Sequence, residues 1–172
     1  IPNLSSVSVD DVSASSLMIE HLYAQGHRKI GLIGGKPDQS RPSLSRLTGC
    51  QSAMFRLGLP FEMEKQYAYA RFSLQSGYTA MEYLLKHCPD ITAVFAMSDL
   101  MALGAIRALN DRIALGRYSN PRLTTIRQNS ARLAQRGAEI LLNCIENESG
   151  AVHEVVPFEL IEDESVAALP NH

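Results

Sequence analysis

Short apolar runs rich in β-formers alternate along the chain with stretches whose apolar residues recur at helical spacing. Residues 7–9 read as the end of a strand. Asp10 or Asp11 caps a helix running to about residue 25, with Leu17, Met18, His21 and Leu22 on one side and Gly26 as its stop. Residues 29–34 form a short apolar strand ending in glycine. A polar loop leads to a second helix that closes at Leu57 and Gly58. Residues 67–70 are the next strand candidate. A helix from Ser73 or Ser76 through Lys86 follows, with Met81, Leu84 and Leu85 apolar, and Pro89 breaks it. Residues 93–97 read as a strand, and Ser98 caps a helix over 100–109. Ser130 caps a later helix with Leu133, Ala134, Ala138, Leu141 and Ile145 along one side. Residues 155–161 read as one last strand.

Strand alternating with helix predicts an α/β fold, a parallel sheet flanked by helices on both faces. In such folds ligands bind beyond the carboxyl ends of the strands. The loops after Gly34, Ala70 and Met97 are therefore expected on one edge, where they offer Arg46 (with Asp38 and Arg41 nearby), Phe72, Ser98 and Asp99.

The composition narrows the chemistry. The chain has 172 residues, 45% hydrophobic and 20% charged, the profile of a globular protein with one domain or two small lobes. A formal net charge of -2 gives no basic surplus of the kind a stand-alone DNA-reading module carries. Cys50, Cys88 and Cys144 are odd in number and far apart, which argues against a disulfide framework or a zinc site and fits a reducing cytoplasm. No basic, apolar leader opens the chain and no apolar run approaches membrane-spanning length. Neither G-x-x-x-x-G-K-[ST] nor G-x-G-x-x-G occurs. Gly34-Gly35-Lys36 lacks the Ser or Thr a phosphate loop needs next, which disfavours a nucleotide site there.

Arginine, aspartate, a small hydroxyl and an aromatic ring suit a polyol. A carboxylate accepts from adjacent hydroxyls, a guanidinium donates as a fixed fork, and a ring covers the C–H face of a sugar. Each residue also has a plainer reading: Arg46 as a surface charge, Phe72 as core, Ser98 and Asp99 as a helix cap. His21 sits on an apolar face and reads as packed. His27 follows a helix end, where a cation is mildly favoured. No nucleophile–base pair, metal cluster or cofactor motif stands out, so the chain reads as a binding protein and not an enzyme, with no cofactor and no metal.

A series of segments then occurs in a familiar order. Residues 7–11 (Val-Ser-Val-Asp-Asp) with Gly26-His27-Arg28-Lys29-Ile30 and Gly34-Gly35 come first. Arg46-Leu47-Thr48-Gly49 and Ser76-Gly77-Tyr78-Thr79-Ala80-Met81 follow. Residues 92–105, around Ala96-Met97-Ser98-Asp99, and residues 118–128, ending in Thr124-Thr125-Ile126-Arg127-Gln128, complete the set. In this order they resemble the sensor domain of the LacI/GalR family of transcriptional regulators. The resemblance implies two Rossmann-like lobes around a sugar-sized cleft, here incomplete. Residues 1–27 would end the first lobe, 28–125 would form most of the second, 126–150 would return to the first as a helix, and 151–172 would be the final strand of the second and a tail. Carried over by position, Arg46, Phe72, Ser98, Asp99 and Gln128 would bind the effector, with Asp10 and Asp11 facing the cleft.

The resemblance also implies a cytoplasmic repressor, a homodimer that takes a small carbohydrate. It would reach DNA only through a helix-turn-helix head that this chain does not contain. A periplasmic sugar-binding protein of the same fold is the alternative. The chain departs from the family pattern at Arg112-Ile113, where about 15–20 residues of the usual strand and loop are missing. It departs again at Ser98, where the family often has Asn, and at Glu162-Asp163-Glu164, where an acid replaces a frequent Arg.

Overall fold

The computed structural model describes residues 4–112, 121–147 and 150–170. In chain order the elements are β1 (Ser6–Ser8), α1 (Asp11–Ala24), β2 (Ile30–Gly34), α2 (Arg41–Arg56), α3 (Met63–Gln66), β3 (Tyr67–Tyr69), α4 (Leu74–His87) and β4 (Ala93–Ala96). They continue with α5 (Asp99–Arg112), β5 (Thr125–Gln128), α6 (Ser130–Asn147), β6 (His153–Val155) and β7 (Phe158–Ile161). Two compact units result. The larger takes the described residues of Asp11–Thr125 and Glu162–His172, and the smaller those of Ile1–Asp10 and Ile126–Ile161.

The larger unit is built on a parallel sheet in the order β3-β2-β4. Leu32 lies opposite Tyr67 on one side and Phe95 on the other. All five residues of β2 are buried, so both faces of the central strand are covered by other elements. Helix ends follow local chemistry. Ser40 caps α2 by accepting from the Ser43 N–H, with Pro42 in the first turn where no intrahelical donor is needed. Ser73 and Ser76 form a reciprocal capping box on α4. Gly26 and Gly58 follow α1 and α2 with φ of 94° and 66°, the left-handed turn that glycine adopts without strain.

Helices α4 and α5 approach so closely that glycine is required on both sides. A Cβ on Gly77 would lie 2.3 Å from the Met101 carbonyl oxygen, and one on Gly104 would lie 2.1 Å from that of Leu74. The apolar side chains of β2, α2, α4 and α5 close one core around Ile30, Leu32, Ile33, Met54, Leu84 and Met101.

The last segment returns to this unit and is laced to it. Leu169 N–H donates to the Gln25 carbonyl at 2.9 Å, Ser165 N–H to that of Arg122 at 3.0 Å, and Asp163 N–H to Thr124 Oγ1 at 2.9 Å. His27 Nε2 lies 3.1 Å from the Ala167 carbonyl, so it must be the protonated nitrogen, and Nδ1 accepts from Thr92 Oγ1 at 3.1 Å. Burial lowers the His27 pKa, outweighing the Ala167 bond that raises it. The expected helix-end cation is therefore a buried neutral imidazole.

The smaller unit pairs distant parts of the chain. β1 runs parallel to β6, with Ser6 opposite His153 and Ser8 opposite Val155. β5 pairs with β7. The single strand expected over 155–161 is thus two strands in two sheets, parted at Val156 and Pro157, where proline has no N–H for a ladder. Asn129, not Ser130, caps α6: its side chain accepts from the Arg132 N–H at 2.9 Å. The division of the chain also differs from the expected one. Helix α1 packs against α2 in the larger unit, while residues 153–161 belong to the smaller. The shortened junction expected after Arg112 leads into residues 113–120, outside the described residues.

Candidate functional site

Because β3, β2 and β4 run parallel, the loops after Gly34, Ala70 and Met97 leave from the same edge of the sheet. That edge carries four of the five sequence-predicted residues.

Arg46 projects from α2 and is held on two sides. Its Nε donates to Asp11 Oδ1 at 2.8 Å, and its Nη1 donates to the Met97 carbonyl. Both side chains of the ion pair are about four-fifths buried, with 21% and 20% exposed. One guanidinium thus ties the start of α1 to the end of β4, a role its position in the sequence does not reveal. Asp11, expected to face a cleft, is turned to Arg46.

Ser98 accepts from the Met101 N–H at 3.4 Å and caps α5. Asp99 opens that helix and stays exposed, accepting from Thr125 Oγ1 at 3.3 Å. Phe72 has a φ of 50°, the one non-glycine in the left-handed region among the described residues. The residue is 38% exposed, neither sealed in the core nor free. Gln128 ends β5 in the smaller unit, where with Arg127, Asn129 and Glu159 it lines a cavity of about 440 Å³.

A larger cavity of about 560 Å³ opens at the sheet edge between the β2–α2 and β3–α4 loops, with Phe72 in its wall. Lys36 and Arg71 line it, and no carboxylate does. The sequence reading weighed Lys36 only within a nucleotide-type phosphate loop, which it disfavoured, and did not weigh Arg71. Each stands two residues beyond the end of a parallel strand, β2 or β3, the place where such folds present ligand-binding groups. Beside this wall lies a further unannounced feature. Ser43 Oγ is fully buried and has no hydrogen-bond partner among the described residues. Among those residues no group of three histidine, cysteine or acidic side chains is placed to hold a metal ion. No helix among them is long and apolar enough to cross a membrane.

Comparison with known proteins places this geometry. The family of periplasmic binding protein-like domains matches residues 19–166. The chain is 32% identical over 184 aligned positions to the HTH-type transcriptional repressor CytR of Escherichia coli K12, covering 97% of this chain and 53% of that protein. It is 29% identical over 161 positions to the HTH-type transcriptional regulator CelR of Thermobifida fusca, covering 85% and 47%. The chain thus spans about half the length of these relatives. The CytR alignment, at 184 positions, is longer than the 172 residues present, so at least 12 positions of that repressor have no counterpart here.

Among solved structures, a CelR–cellobiose complex superposes with a TM-score of 0.87 at 28% identity, over 96% of this chain and 55% of that one. A LacI family regulator from Enterococcus faecium with bound ribose gives 0.84 at 27%, over 96% and 67%. The chain belongs to the family of periplasmic binding protein-like domains, and within it corresponds to the effector-binding part of LacI-family transcriptional regulators.

Proposed function

We propose that the chain senses a small sugar-like effector for a transcriptional regulator, a repressor that acts as a homodimer and reads DNA through a separate helix-turn-helix head. The observation that carries this reading is the meeting of Arg46, Phe72, Ser98 and Asp99 on one carboxyl edge of a parallel sheet. Gln128, the fifth expected contact, lies in the smaller unit.

Asp99 supplies an exposed carboxylate for vicinal hydroxyls, and the Phe72 ring supplies an apolar face. Arg46 offers the part of its fork not engaged by Asp11 and Met97. Such a sensor works only if the effector binds one arrangement of the protein better than another, since equal affinity for both shifts nothing. No catalysis is required of any of these groups.

Calorimetric titration with a panel of sugars tests the site. Asp99→Ala and Arg46→Ala are each expected to weaken binding by about 1–3 kcal/mol, the usual loss for a charged hydrogen bond. Asp99 is exposed, so its variant loses little stability beyond the Thr125 bond and reports chiefly binding. Arg46→Ala also breaks the Asp11 pair and lowers stability. Unchanged affinity in both variants removes the assignment.

A further inference from the structure

We propose that Asp11 and Thr125 are positioning residues for the effector groups Arg46 and Asp99, and that through them effector affinity is tied to the two places where the chain enters and leaves the body of the larger unit. This rests on the effector-binding reading and specifies how that site is regulated.

The chain passes between the two units three times: it enters the larger at Asp11, leaves it after Thr125 and returns at Glu162. Each of these residues meets a side chain of the larger unit. Asp11 Oδ1 accepts from Arg46 Nε at 2.8 Å, Asp99 Oδ1 accepts from Thr125 Oγ1 at 3.3 Å, and Glu162 Oε1 lies 3.9 Å from His21 Nδ1. Two of these three partners, Arg46 and Asp99, are the charged residues of the candidate site. They also meet on one segment, because Arg46 Nη1 donates to the Met97 carbonyl, two residues before Asp99. Asp11, Arg46, residues 97–99 and Thr125 thus form one polar chain that runs from the first crossing to the second through the site.

The ties use some polar atoms of the effector groups and spare others. A guanidinium is planar, so fixing Nε and Nη1 fixes the direction in which Nη2 points. Asp11 and Met97 take those two nitrogens and leave Nη2 unengaged among the described residues. Thr125 takes Oδ1 of Asp99 and leaves Oδ2. Each tie restrains a rotatable side chain and keeps one polar atom for a ligand, so less ordering is left for the ligand to impose.

The link is reciprocal. A displacement at either crossing that parts Asp11 from Arg46, or Thr125 from Asp99, frees the effector group and lowers affinity. An effector that needs the ordered groups holds both crossings in place by the same free energy. The third tie, between Glu162 and His21, touches no effector group and supplies the control.

The test titrates the whole chain calorimetrically with free hexoses, free pentoses and disaccharides, and follows amide hydrogen exchange with and without saturating sugar. Thr125→Val removes the hydroxyl and keeps the β-branched shape, while Thr124 still anchors this stretch through Ser165 and Asp163. It is expected to weaken sugar binding about two- to fivefold, the lower range for one hydrogen bond. Thr125→Ser keeps the hydroxyl and is expected to restore affinity. Asp11→Ala is expected to weaken binding about tenfold or more, and Asp11→Asn, which retains an acceptor for Nε, by less. Glu162→Gln is expected to bind as the parent chain does. Bound sugar is expected to slow exchange at residues 125–127, and to slow it less in Thr125→Val.

Affinity that is unchanged or raised in Thr125→Val or in Asp11→Ala, while Asp99→Ala still weakens binding, overturns this inference and leaves the effector reading standing. An equal loss in Glu162→Gln also overturns it, since any crossing would then serve. So does exchange at residues 125–127 that bound sugar leaves unaltered. No sugar binding by the parent chain or by any variant removes the effector reading and this inference together.

Discussion

The two units bury their apolar residues very differently. The larger has a closed core, with Ile19, Leu32, Ile33, Cys50, Leu84 and Met101 entirely shielded. In the smaller, Ile140 and Val156 are the only buried apolar side chains among the described residues. Leu141, Leu142 and Ile145 of α6 stand exposed at 61%, 56% and 69%, as do Leu4 and Val155 in the same unit. An amphipathic helix with its apolar stripe in water contributes little to stability, because burial of that stripe is what holds most helices in proteins. The contrast teaches that the stability of this chain resides in the unit bearing the candidate site. The smaller unit consists of elements whose apolar faces exceed what their own residues cover.

Substitutions can break that contrast, beginning with glycines. Gly104→Ala puts a methyl 2.1 Å from the Leu74 carbonyl and must part α4 from α5, at a cost of about 3 kcal/mol in denaturant unfolding. In α6 the same change at Gly137 meets nothing within 4 Å and removes a helix-interior glycine. Gly137→Ala is expected to be neutral, or to stabilise by up to about 1 kcal/mol. A comparable loss at both positions would erase the distinction between the units.

Leucines give the next largest difference. Leu32→Ala is expected to cost about 2–5 kcal/mol through lost burial and the cavity left behind. Leu141→Ala, at a side chain 61% exposed, should change stability by no more than about 0.5 kcal/mol. A large Leu141 effect would mean that the smaller unit has a core of its own.

The smallest expected effect is a pH dependence. The His27 pKa is lowered in the folded chain, so the unfolded chain takes up its proton first as pH falls. The contribution of His27 is complete above about pH 6.5 and declines as pH drops below that value. Unfolding curves between about pH 5 and 7 should show this slope, and His27→Gln should flatten it. An unchanged slope would show that His27 is not the titrating group.

Much of the larger unit was legible because local pattern and topology agreed there. Apolar runs bounded by glycine and proline gave β2 and β4, and parallel pairing followed from the alternation with helices. The edge carrying Arg46, Phe72 and Asp99 followed in turn. What stayed hidden depends on distant partners. Arg46 finds Asp11 35 positions away, and His27 finds Ala167 at a separation of 140. No local periodicity encodes such bonds. The smaller unit was harder still, since β1 pairs with a segment near the other end of the chain. Pro157 divides what reads as one continuous apolar strand. Ser43 looks in the sequence like any serine in a first helical turn, and only the packing of Gly35 and Phe72 around it shows that its hydroxyl lacks a partner.

The return of the last segment to the larger unit has a consequence for biosynthesis. The segment that bonds to Gln25, His27, Arg122 and Thr124 begins at Glu162, and the whole smaller-unit stretch Ile126–Ile161 is translated before it. At about 5–20 residues per second the ribosome needs about 2–7 s to cross that stretch. Throughout that interval the Ala167 carbonyl does not yet exist, and the His27 ring has no acceptor there. The nascent sheet can form early, but it is sealed only after the whole of that stretch has been made.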